Sequence, residues 1–182
     1  MNYNNNWLIE QHDKGADREY IFFWGHQPAK DGSITKSCFS QWWIAPFVVD
    51  GIAYKTAEHW MMAKKAELFG DAEIATKIVA TTNPKDVKQL GRMIKGFDNA
   101  KWDAHKYELV AEGNWHKFAQ HEPLKDFLLG TANSIIVEAS PVDAIWGIGM
   151  AEGDNNIKDP AKWKGENLLG YALMEVRDKL QG

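Results

Sequence analysis

The apolar residues of this chain change their spacing near residue 55, and this change limits the folds that the chain can adopt. Before it they form short aromatic and β-branched runs, such as 20–24 and 52–54, which are typical of buried strands. After it they recur every three or four positions, most clearly over 57–69 and 103–120, as in amphipathic helices. The sequence therefore predicts an α+β fold, with one mainly helical domain and a small β-sheet.

Turn and cap residues help to bound the other predicted elements. Asp50-Gly51 is a hairpin turn signal, and Asn83-Pro84 is typical of a helix start. The predicted strands are 20–24, 39–43, 47–49, 52–54 and 135–139, and the predicted helices are 57–69, 71–80, 84–90, 103–120, 124–129 and 167–180. We expect the first strands and the segment near residue 136 to share the small sheet.

Two segments lack a periodic apolar pattern. Residues 1–19 are polar and rich in asparagine, and we expect them to be an N-terminal leader to a folded domain at 20–182. Residues 150–166 are rich in Gly, Asn, Asp and Lys. An irregular segment of that length in a compact domain is often functional, so we expect a binding loop or lid there.

Composition and charge narrow the class of protein. With 182 residues, the chain is long enough for one domain with a proper core. Its formal net charge of -4 argues against a dedicated nucleic-acid binder, because neutralising phosphates needs a basic surface. Its single cysteine, Cys38, cannot form an internal disulfide, and neither a signal-peptide pattern nor a membrane-spanning apolar run is present. We therefore expect a soluble, cytoplasmic protein that does not associate with membranes.

The segment 55–66, KTAEHWMMAKKA, carries the clearest chemical pattern. Thr56 suits the N-cap of a helix, which places Glu58 in the first turn, where the helix dipole favours an ionised carboxylate. Lys65 follows seven positions later on the same face, about 10 Å along the axis. A carboxylate and a cation along one groove could stabilise a developing positive sugar carbon and hold a phosphate. Alternatively, Glu58 only complements the dipole, and Lys64 and Lys65 are solvated.

Four other polar or aromatic positions have both a functional and a structural interpretation. Asp143 lies in the turn after the predicted strand 135–139, where catalytic groups often occur, but it could also form an Asx turn. Asn167 is a natural N-cap for the last helix, which would explain it fully. Trp102 has a packing explanation at the start of the long helix, and Arg92 a simple surface one.

Several familiar active-site chemistries have no counterpart in the sequence. The chain lacks GxGxxG, a Walker loop, HExxH and GxSxG, and nothing marks Cys38 as a nucleophile. A site built from carboxylates, without a metal or a cofactor, is what remains. The nine tryptophans are mostly expected in the core, although two or three of them could wall a pocket for a planar heterocycle.

These stretches together resemble the NADAR family, the YbiA-like N-glycosidases linked to NAD, ADP-ribose and riboflavin-pathway metabolites. The resemblance extends from Ile21 to Leu180. It rests on seven motifs in a fixed order: FFWG, CFSQWW, TAEHWMMAKKA, LGR, KWD, IVEASPVDAIWGIG and GENLLGYALMEVR. Two features depart from the family pattern: Ser40-Gln41-Trp42 stands where the family often has Ser-Asn-aromatic, and the loop 150–166 looks longer than in compact members.

The resemblance implies roles for individual residues. Glu58 and Asp143 match the family's essential glutamate and aspartate, and Lys65 matches a lysine for which a Schiff base with an opened ribose is conceivable. The residues implied in substrate binding are Trp24, Phe39, Arg92, Trp102, Trp146, Gly147 and Asn167, with Arg92 suited to a phosphate. Which carboxylate is the acid, and which the base or nucleophile, depends on burial that the sequence does not give.

The activity implied by the resemblance is cleavage of a C1′–N glycosidic bond on a ribose. The leading hypothesis is hydrolysis of phosphoribosyl-amino pyrimidine intermediates of riboflavin biosynthesis. One alternative is removal of ADP-ribose from modified guanine in nucleic acid, and another is a non-catalytic module that binds ADP-ribose or a nucleotide. The expected partner is a small ribose-phosphate or ADP-ribose-like molecule, and a nucleic acid only under the first alternative. The oligomeric state is left open.

Overall fold

The computed structural model describes all residues from Met1 to Gly182. The chain forms two compact units, the first made of residues 1–40 and 123–182 and the second of residues 41–122. It contains seven α-helices and four short strands, which pair into two separate two-stranded sheets. The prediction of a mainly helical α+β protein is therefore confirmed. None of the helices is both long enough and apolar enough to cross a membrane.

A parallel strand pair and one long helix form the centre of the first unit. Strand β1 (Tyr20–Phe23) runs parallel to β4 (Ile135–Glu138), with Tyr20 opposite Ile135. The helix α7 (Leu168–Gln181) packs against β4. The apolar run of β4 is fully buried from Ile135 to Val137, as expected of a parallel strand that is covered on both faces.

The polar segment predicted as a leader contains a helix, α1 (Asn5–Asp13). Its first turn is capped by Asn4, and Leu8 is buried. The Asn5 side chain donates to the Gly165 carbonyl at 3.0 Å and accepts from the Tyr171 hydroxyl at 2.8 Å. Hydrogen bonds of this kind order a helix whose sequence has little apolar periodicity. The domain boundary between residues 19 and 20 stays a prediction.

The second unit begins with a hairpin that leads into helices. Strand β2 (Phe47–Val49) pairs antiparallel with β3 (Ile52–Tyr54), and both turn residues, Asp50 and Gly51, have positive φ angles of 51° and 78°. Positive φ at both positions gives the turn that matches the twist of a hairpin, so the predicted turn signal is confirmed. The helices that follow are α2 (Ala57–Leu68), α3 (Ala72–Ala80), α4 (Pro84–Arg92) and α5 (Asn99–Ala119).

Helix α2 contacts each of the other three helices of this unit. Its buried Trp60 donates from Nε1 to the Leu109 carbonyl of α5 at 2.8 Å. A Cβ added at Gly113 would lie 2.3 Å from the Trp60 ring, and one at Gly91 would lie 2.1 Å from the sulfur of Met62. Gly113 is therefore required for the close approach of α5 to the rigid Trp60 ring, whereas a side chain at Gly91 would displace the flexible end of Met62.

The predicted elements agree with the structure except in three respects. Helix α1 lies in the segment predicted as a leader, one predicted strand is absent, and the prediction that all strands share one small sheet is wrong, because β1 pairs with β4 while β2 and β3 form a separate sheet. The helices α2 to α5, α6 (Glu122–Leu129) and α7 all lie where the apolar spacing predicts them. The predicted strand 39–43 is wrong, because Lys36–Phe39 forms a 3-10 helix and residues 40–43 form a bend and a turn. A short apolar run does not distinguish a strand from another buried segment. The segment 150–166 is irregular apart from a short 3-10 helix at Pro160–Lys162.

Candidate active site

Glu58 lies in the first turn of α2, as predicted, and its side chain is buried, with 3% of its surface exposed. The predicted N-cap is confirmed, since the Thr56 hydroxyl accepts from the backbone N–H of His59 at 3.3 Å. The backbone N–H of Glu58 donates to the Gln41 carbonyl at 2.9 Å. The carboxylate is thus held at the positive end of the helix dipole and largely away from water.

A pair of buried amides supports the backbone next to Glu58. Gln41 and Asn114 are 7% and 0% exposed, and the Asn114 amide donates to the Gln41 side-chain oxygen at 2.9 Å. The same amide donates to the Val110 carbonyl at 2.9 Å, one turn earlier in α5. The side chain of Gln41 is therefore hydrogen-bonded to Asn114 of α5. This bond helps to fix the Gln41 backbone carbonyl, which accepts from the N–H of Glu58.

His59 has a structural role next to Glu58. Its ring is fully buried, with Nδ1 at 2.8 Å from the Thr56 hydroxyl and Nε2 at 3.0 Å from the Thr81 carbonyl. A carbonyl only accepts, so Nε2 carries the proton and Nδ1 accepts from the Thr56 hydroxyl. Burial lowers the pKa of His59, which keeps the ring neutral.

Lys65 is half-buried, and its ammonium lies near two aromatic rings. Its Nζ donates to the Gly91 carbonyl at 3.2 Å and lies 4.2 Å from the centroid of the Phe97 ring and 5.3 Å from that of Trp102. Burial lowers the pKa of the Lys65 ammonium, and the charge of Glu58 acts in the opposite direction. The second unit therefore brings three predicted site residues together, namely Glu58, Lys65 and Trp102.

Lys64 and Arg92 differ from Lys65 in their surroundings. The Lys64 ammonium pairs with Glu67 at 2.8 Å, lies 4.8 Å from the centroid of the Trp60 ring, and belongs to a side chain that is 24% exposed. The interpretation of two solvated surface lysines is therefore wrong for both, and they differ in that only Lys64 forms an ion pair. Arg92 ends α4 and is exposed, which agrees with its surface interpretation. Its predicted contact with a phosphate stays a prediction.

Sequence reasoning did not single out Phe97 as a residue of this cluster. Phe97 lies in the connection between α4 and α5, and 41% of its surface is exposed. The connection contains a glycine and an aspartate next to it, a pattern that looks like an ordinary turn. The available signal in the sequence was an aromatic residue within a short polar connection. That signal does not identify Lys65 as the residue that Phe97 contacts.

Asp143 in the first unit forms the Asx turn that its sequence context suggests. Its Oδ1 accepts from the backbone N–H groups of Ile145 at 2.9 Å and Trp146 at 2.8 Å. Both hydrogen bonds use one oxygen of the carboxylate, and the side chain is only half-buried. The structural role of Asp143 is therefore present, while its predicted catalytic role stays a prediction.

Asn167 differs from the predicted N-cap. It adopts a left-handed conformation with φ 54°, and its side chain makes no capping hydrogen bond to α7. Instead, its Oδ1 accepts from the backbone N–H of Glu138 and its Nδ2 donates to the Ile136 carbonyl, each at 3.0 Å. The amide thus pairs with β4 as a neighbouring strand would, and this fixes the start of α7 to the strand.

The first turn of α7 is capped by the carbonyls of the turn that follows β4. The N–H groups of Leu168 and Leu169 donate to the carbonyls of Ile145 and Trp146 at 3.2 and 3.1 Å. The backbone N–H of Asn167 donates to the Gly147 carbonyl at 3.1 Å. Backbone oxygens therefore take the place of the side chain that the N-cap prediction required.

Gly147 has a packing reason for being a glycine. A Cβ at this position would lie 2.8 Å from the Glu138 carbonyl oxygen, and one at Gly165 would lie 2.4 Å from that of Gly147. The first unit thus brings together four predicted site residues: Asp143, Trp146, Gly147 and Asn167. Their hydrogen bonds and close contacts account for the local backbone.

The two remaining predicted site residues, Trp24 and Phe39, differ in how far they are exposed to solvent. Trp24, directly after β1, is 59% exposed and accessible to a ligand. Phe39 is fully buried, and its ring packs against Phe23 and Phe127 with centroids 5.6 and 5.5 Å apart. The Phe39 ring has no surface exposed to a ligand, and its predicted role in substrate binding stays a prediction. Nowhere in the chain do three His, Cys, Asp or Glu side chains group in a way that could hold a metal ion.

Comparison with known proteins places this arrangement in a family. A model of the NADAR domain matches residues 22–181. The chain is 43% identical over 169 residues to an N-glycosidase of Acanthamoeba polyphaga mimivirus, covering 90% of this chain and 97% of the relative. It is 33% identical over 144 residues to N-glycosidase YbiA of Escherichia coli, covering 79% of each. The NMR structure of the Escherichia coli protein YbiA matches with a TM-score of 0.71 at 29% identity, covering 91% of this chain and 86% of that one.

Both of the relatives named above are N-glycosidases. The chain belongs to the NADAR family. The predicted family is therefore confirmed, and the prediction of an enzyme that hydrolyses N-glycosyl bonds is confirmed at the level of the family.

Proposed function

We propose that this protein is an N-glycosidase that hydrolyses the C1′–N bond of phosphoribosyl-amino pyrimidine intermediates of riboflavin biosynthesis. The names of the relatives support the bond type, and the resemblance described above supports the substrate class. The observation that carries the proposal is a buried carboxylate, Glu58, on the same helix as a cation, Lys65, that is held between aromatic rings. A cytoplasmic location and a small-molecule substrate are parts of the same proposal.

The proposed reaction places a positive charge on the sugar. As the C1′–N bond breaks, its electron pair leaves with the nitrogen, and the ribose becomes similar to an oxocarbenium ion. An ionised Glu58 stabilises that charge, because a carboxylate fixed in a site with little water acts strongly on a developing cation. Water then adds to C1′ and a proton goes to the nitrogen, which gives a free aminopyrimidine and a ribose phosphate.

Two other side chains of the second unit suit the rest of this substrate. The ammonium of Lys65 can bind the phosphate, and the half-buried ring of Trp102 can stack on the heterocycle. A Schiff base between Lys65 and an opened ribose is the alternative role for this lysine. The lowered pKa of Lys65 supports that alternative, because a nucleophilic amine must be neutral.

Asp143 keeps its predicted role as the acid or base group. A carboxyl group in a polar turn can exchange protons with water or with a leaving nitrogen. Its Oδ1 is occupied by two backbone N–H groups, and this orients the carboxylate without neutralising it. An Asp143→Asn variant keeps an oxygen acceptor for the turn and removes the charge, so it separates the two roles.

The test is a mass-spectrometric hydrolysis assay on the purified protein. An aminopyrimidine ribose phosphate and an ADP-ribosylated guanine oligonucleotide are offered side by side, with Glu58→Gln as the control. We expect the wild type to release free aminopyrimidine and ribose phosphate from the first, and the variant to release neither. If the protein reacts only with the oligonucleotide and releases ADP-ribose, the substrate is the modified guanine and the proposed substrate is wrong. No reaction with either would leave a binding module as the better hypothesis.

A further inference from the structure

The Lys65 ammonium lies between two aromatic rings that come from different parts of the second unit. Trp102 belongs to the first turns of α5, whereas Phe97 lies in the connection before that helix. The ring of Phe97 is the nearer of the two, with its centroid 4.2 Å from Nζ compared with 5.3 Å for Trp102. Both distances are within the range of a cation–π interaction.

The backbone on either side of Phe97 is held in place. On the N-terminal side, the N–H of Lys95 donates at 3.0 Å to Asp71, which also caps α3. On the C-terminal side, Asp98 caps α5 by accepting from the N–H of Lys101 at 2.7 Å. Phe97 therefore extends from a short connection that is anchored at both ends.

The ring of Phe97 is also supported from behind. Phe69 packs against it, with centroids 5.2 Å apart and planes at 60°. Even so, 41% of the surface of Phe97 is exposed. A ring that served only the core would be expected to lie deeper, because leaving apolar surface in water forgoes its burial energy. The anchored connection thus presents an accessible ring to a half-buried ammonium.

We propose that Phe97 is a positioning residue that holds the ammonium of Lys65, together with Trp102, in place for the phosphate of the substrate. This role of Phe97 rests on the proposed function, in which Lys65 is the cation that binds the phosphate of the substrate. A free lysine side chain has many rotamers, and restricting them before the substrate binds reduces the entropy lost on binding.

Aromatic rings suit this task better than a carboxylate would. An ion pair such as that of Lys64 with Glu67 would neutralise the ammonium and compete with the phosphate. The ring faces attract the ammonium through their quadrupole and leave its net charge intact. The Gly91 carbonyl accepts one N–H at 3.2 Å, and the remaining N–H groups can bind phosphate oxygens.

The test compares an aliphatic and an aromatic replacement of Phe97. Phe97→Leu keeps an apolar side chain and removes the ring, whereas Phe97→Tyr keeps the ring. Met93→Ala is the matched control, since Met93 lies in the same connection and is 63% exposed. For loss of one ring on a partly desolvated cation, Phe97→Leu should raise KM roughly two- to thirtyfold with kcat little changed. Phe97→Tyr should restore most of the affinity, and Met93→Ala should behave as the wild type.

A spectroscopic measurement reports on Lys65 directly. Ring currents should shift the ε-CH2 resonance of Lys65 upfield, and Phe97→Leu should reduce that shift, whereas Phe97→Tyr should preserve it. In a Lys65→Met background, Phe97→Leu should cause no further loss of affinity, because the two residues act as one unit. An unchanged KM in a folded Phe97→Leu variant, or an equal loss in Phe97→Tyr, would overturn the inference.

Binding of ribose 5-phosphate separates this inference from the proposed function. If the wild type hydrolyses neither substrate, the proposed function fails, yet the affinity for ribose 5-phosphate can still be measured by titration. Weaker binding by Phe97→Leu than by Phe97→Tyr would support the positioning role even then. If the wild type shows no saturable binding of ribose 5-phosphate, or if both variants bind it as the wild type does, the positioning role is wrong.

Discussion

The side-chain amide of Asn114 donates to the side-chain oxygen of Gln41 at 2.9 Å, and both residues are buried. The backbone carbonyl of Gln41 in turn accepts from the N–H of Glu58 at 2.9 Å. The position of the Glu58 backbone therefore depends on a hydrogen bond between two buried side chains to which the proposed reaction gives no chemical role. Neighbouring buried amides of this kind resist movement, because each broken bond leaves a polar group without water.

Asn114→Leu should destabilise the protein and lower its turnover. Leucine has the branched shape of asparagine but is larger and cannot donate, so the Gln41 oxygen and the Val110 carbonyl each lose a partner in the interior. Leaving a buried polar group unsatisfied costs about 1–3 kcal/mol, which chemical denaturation would detect. Gln120→Leu is the control, because its amide bonds to Val48 at the exposed surface. Equal losses for the two variants would contradict a special role of the buried amide pair.

The buried ring of His59 predicts a loss of stability in mild acid. Burial lowers the pKa of His59 in the folded state below its ordinary value of about 6.5. The unfolded chain then takes up a proton at a pH at which the folded state does not, so unfolding becomes easier as the pH falls. The contribution of neutral His59 to the free energy of unfolding is fully present at pH values above the pKa of the unfolded state. It is lost as the pH falls through the pKa of the folded state.

His59→Gln should therefore reduce the decrease in the free energy of unfolding between pH 7 and pH 5. The comparison is made between the two pH values within each protein, so that the cost of the substitution itself cancels. His105→Gln is a control at an exposed position of α5. If His59→Gln leaves the pH dependence as in the wild type, another group is responsible for it.

Replacement of Asn167 should separate backbone strain from lost hydrogen bonds. Asn167→Gly removes both bonds to β4 but accepts the left-handed conformation without strain, whereas Asn167→Ala removes the same bonds and keeps a Cβ at φ 54°. Both should lower stability, and alanine should cost about 1 kcal/mol more than glycine. The measurement is urea denaturation of the two variants. An alanine variant that is as stable as the glycine variant would show that the conformation at residue 167 has changed.

The sequence predicts the parts of this protein that depend on local pattern. The helix that carries Glu58 and the hairpin turn at Asp50-Gly51 follow from periodicity, capping and turn chemistry. The role of Asn167 does not, because the carbonyls that cap α7 come from a turn about twenty positions earlier in the chain. The contact between Lys65 and Phe97 also does not follow from local sequence pattern, because it forms only when helix α2 packs against the connection between α4 and α5. Resemblance to a family finds conserved chemistry more readily than it finds such supporting contacts.

Asp143 gives a test of whether the predicted second carboxylate is catalytic. Asp143→Asn can still accept from the N–H groups of Ile145 and Trp146, so it should fold as the wild type does. If the carboxylate exchanges a proton in the reaction, kcat should fall roughly a hundredfold or more, with KM changed much less. Asp143→Ala removes the turn as well and should lower both turnover and thermal stability. Full activity of a folded Asp143→Asn variant would leave the aspartate as a turn residue, and Glu58 would then be the only predicted catalytic carboxylate.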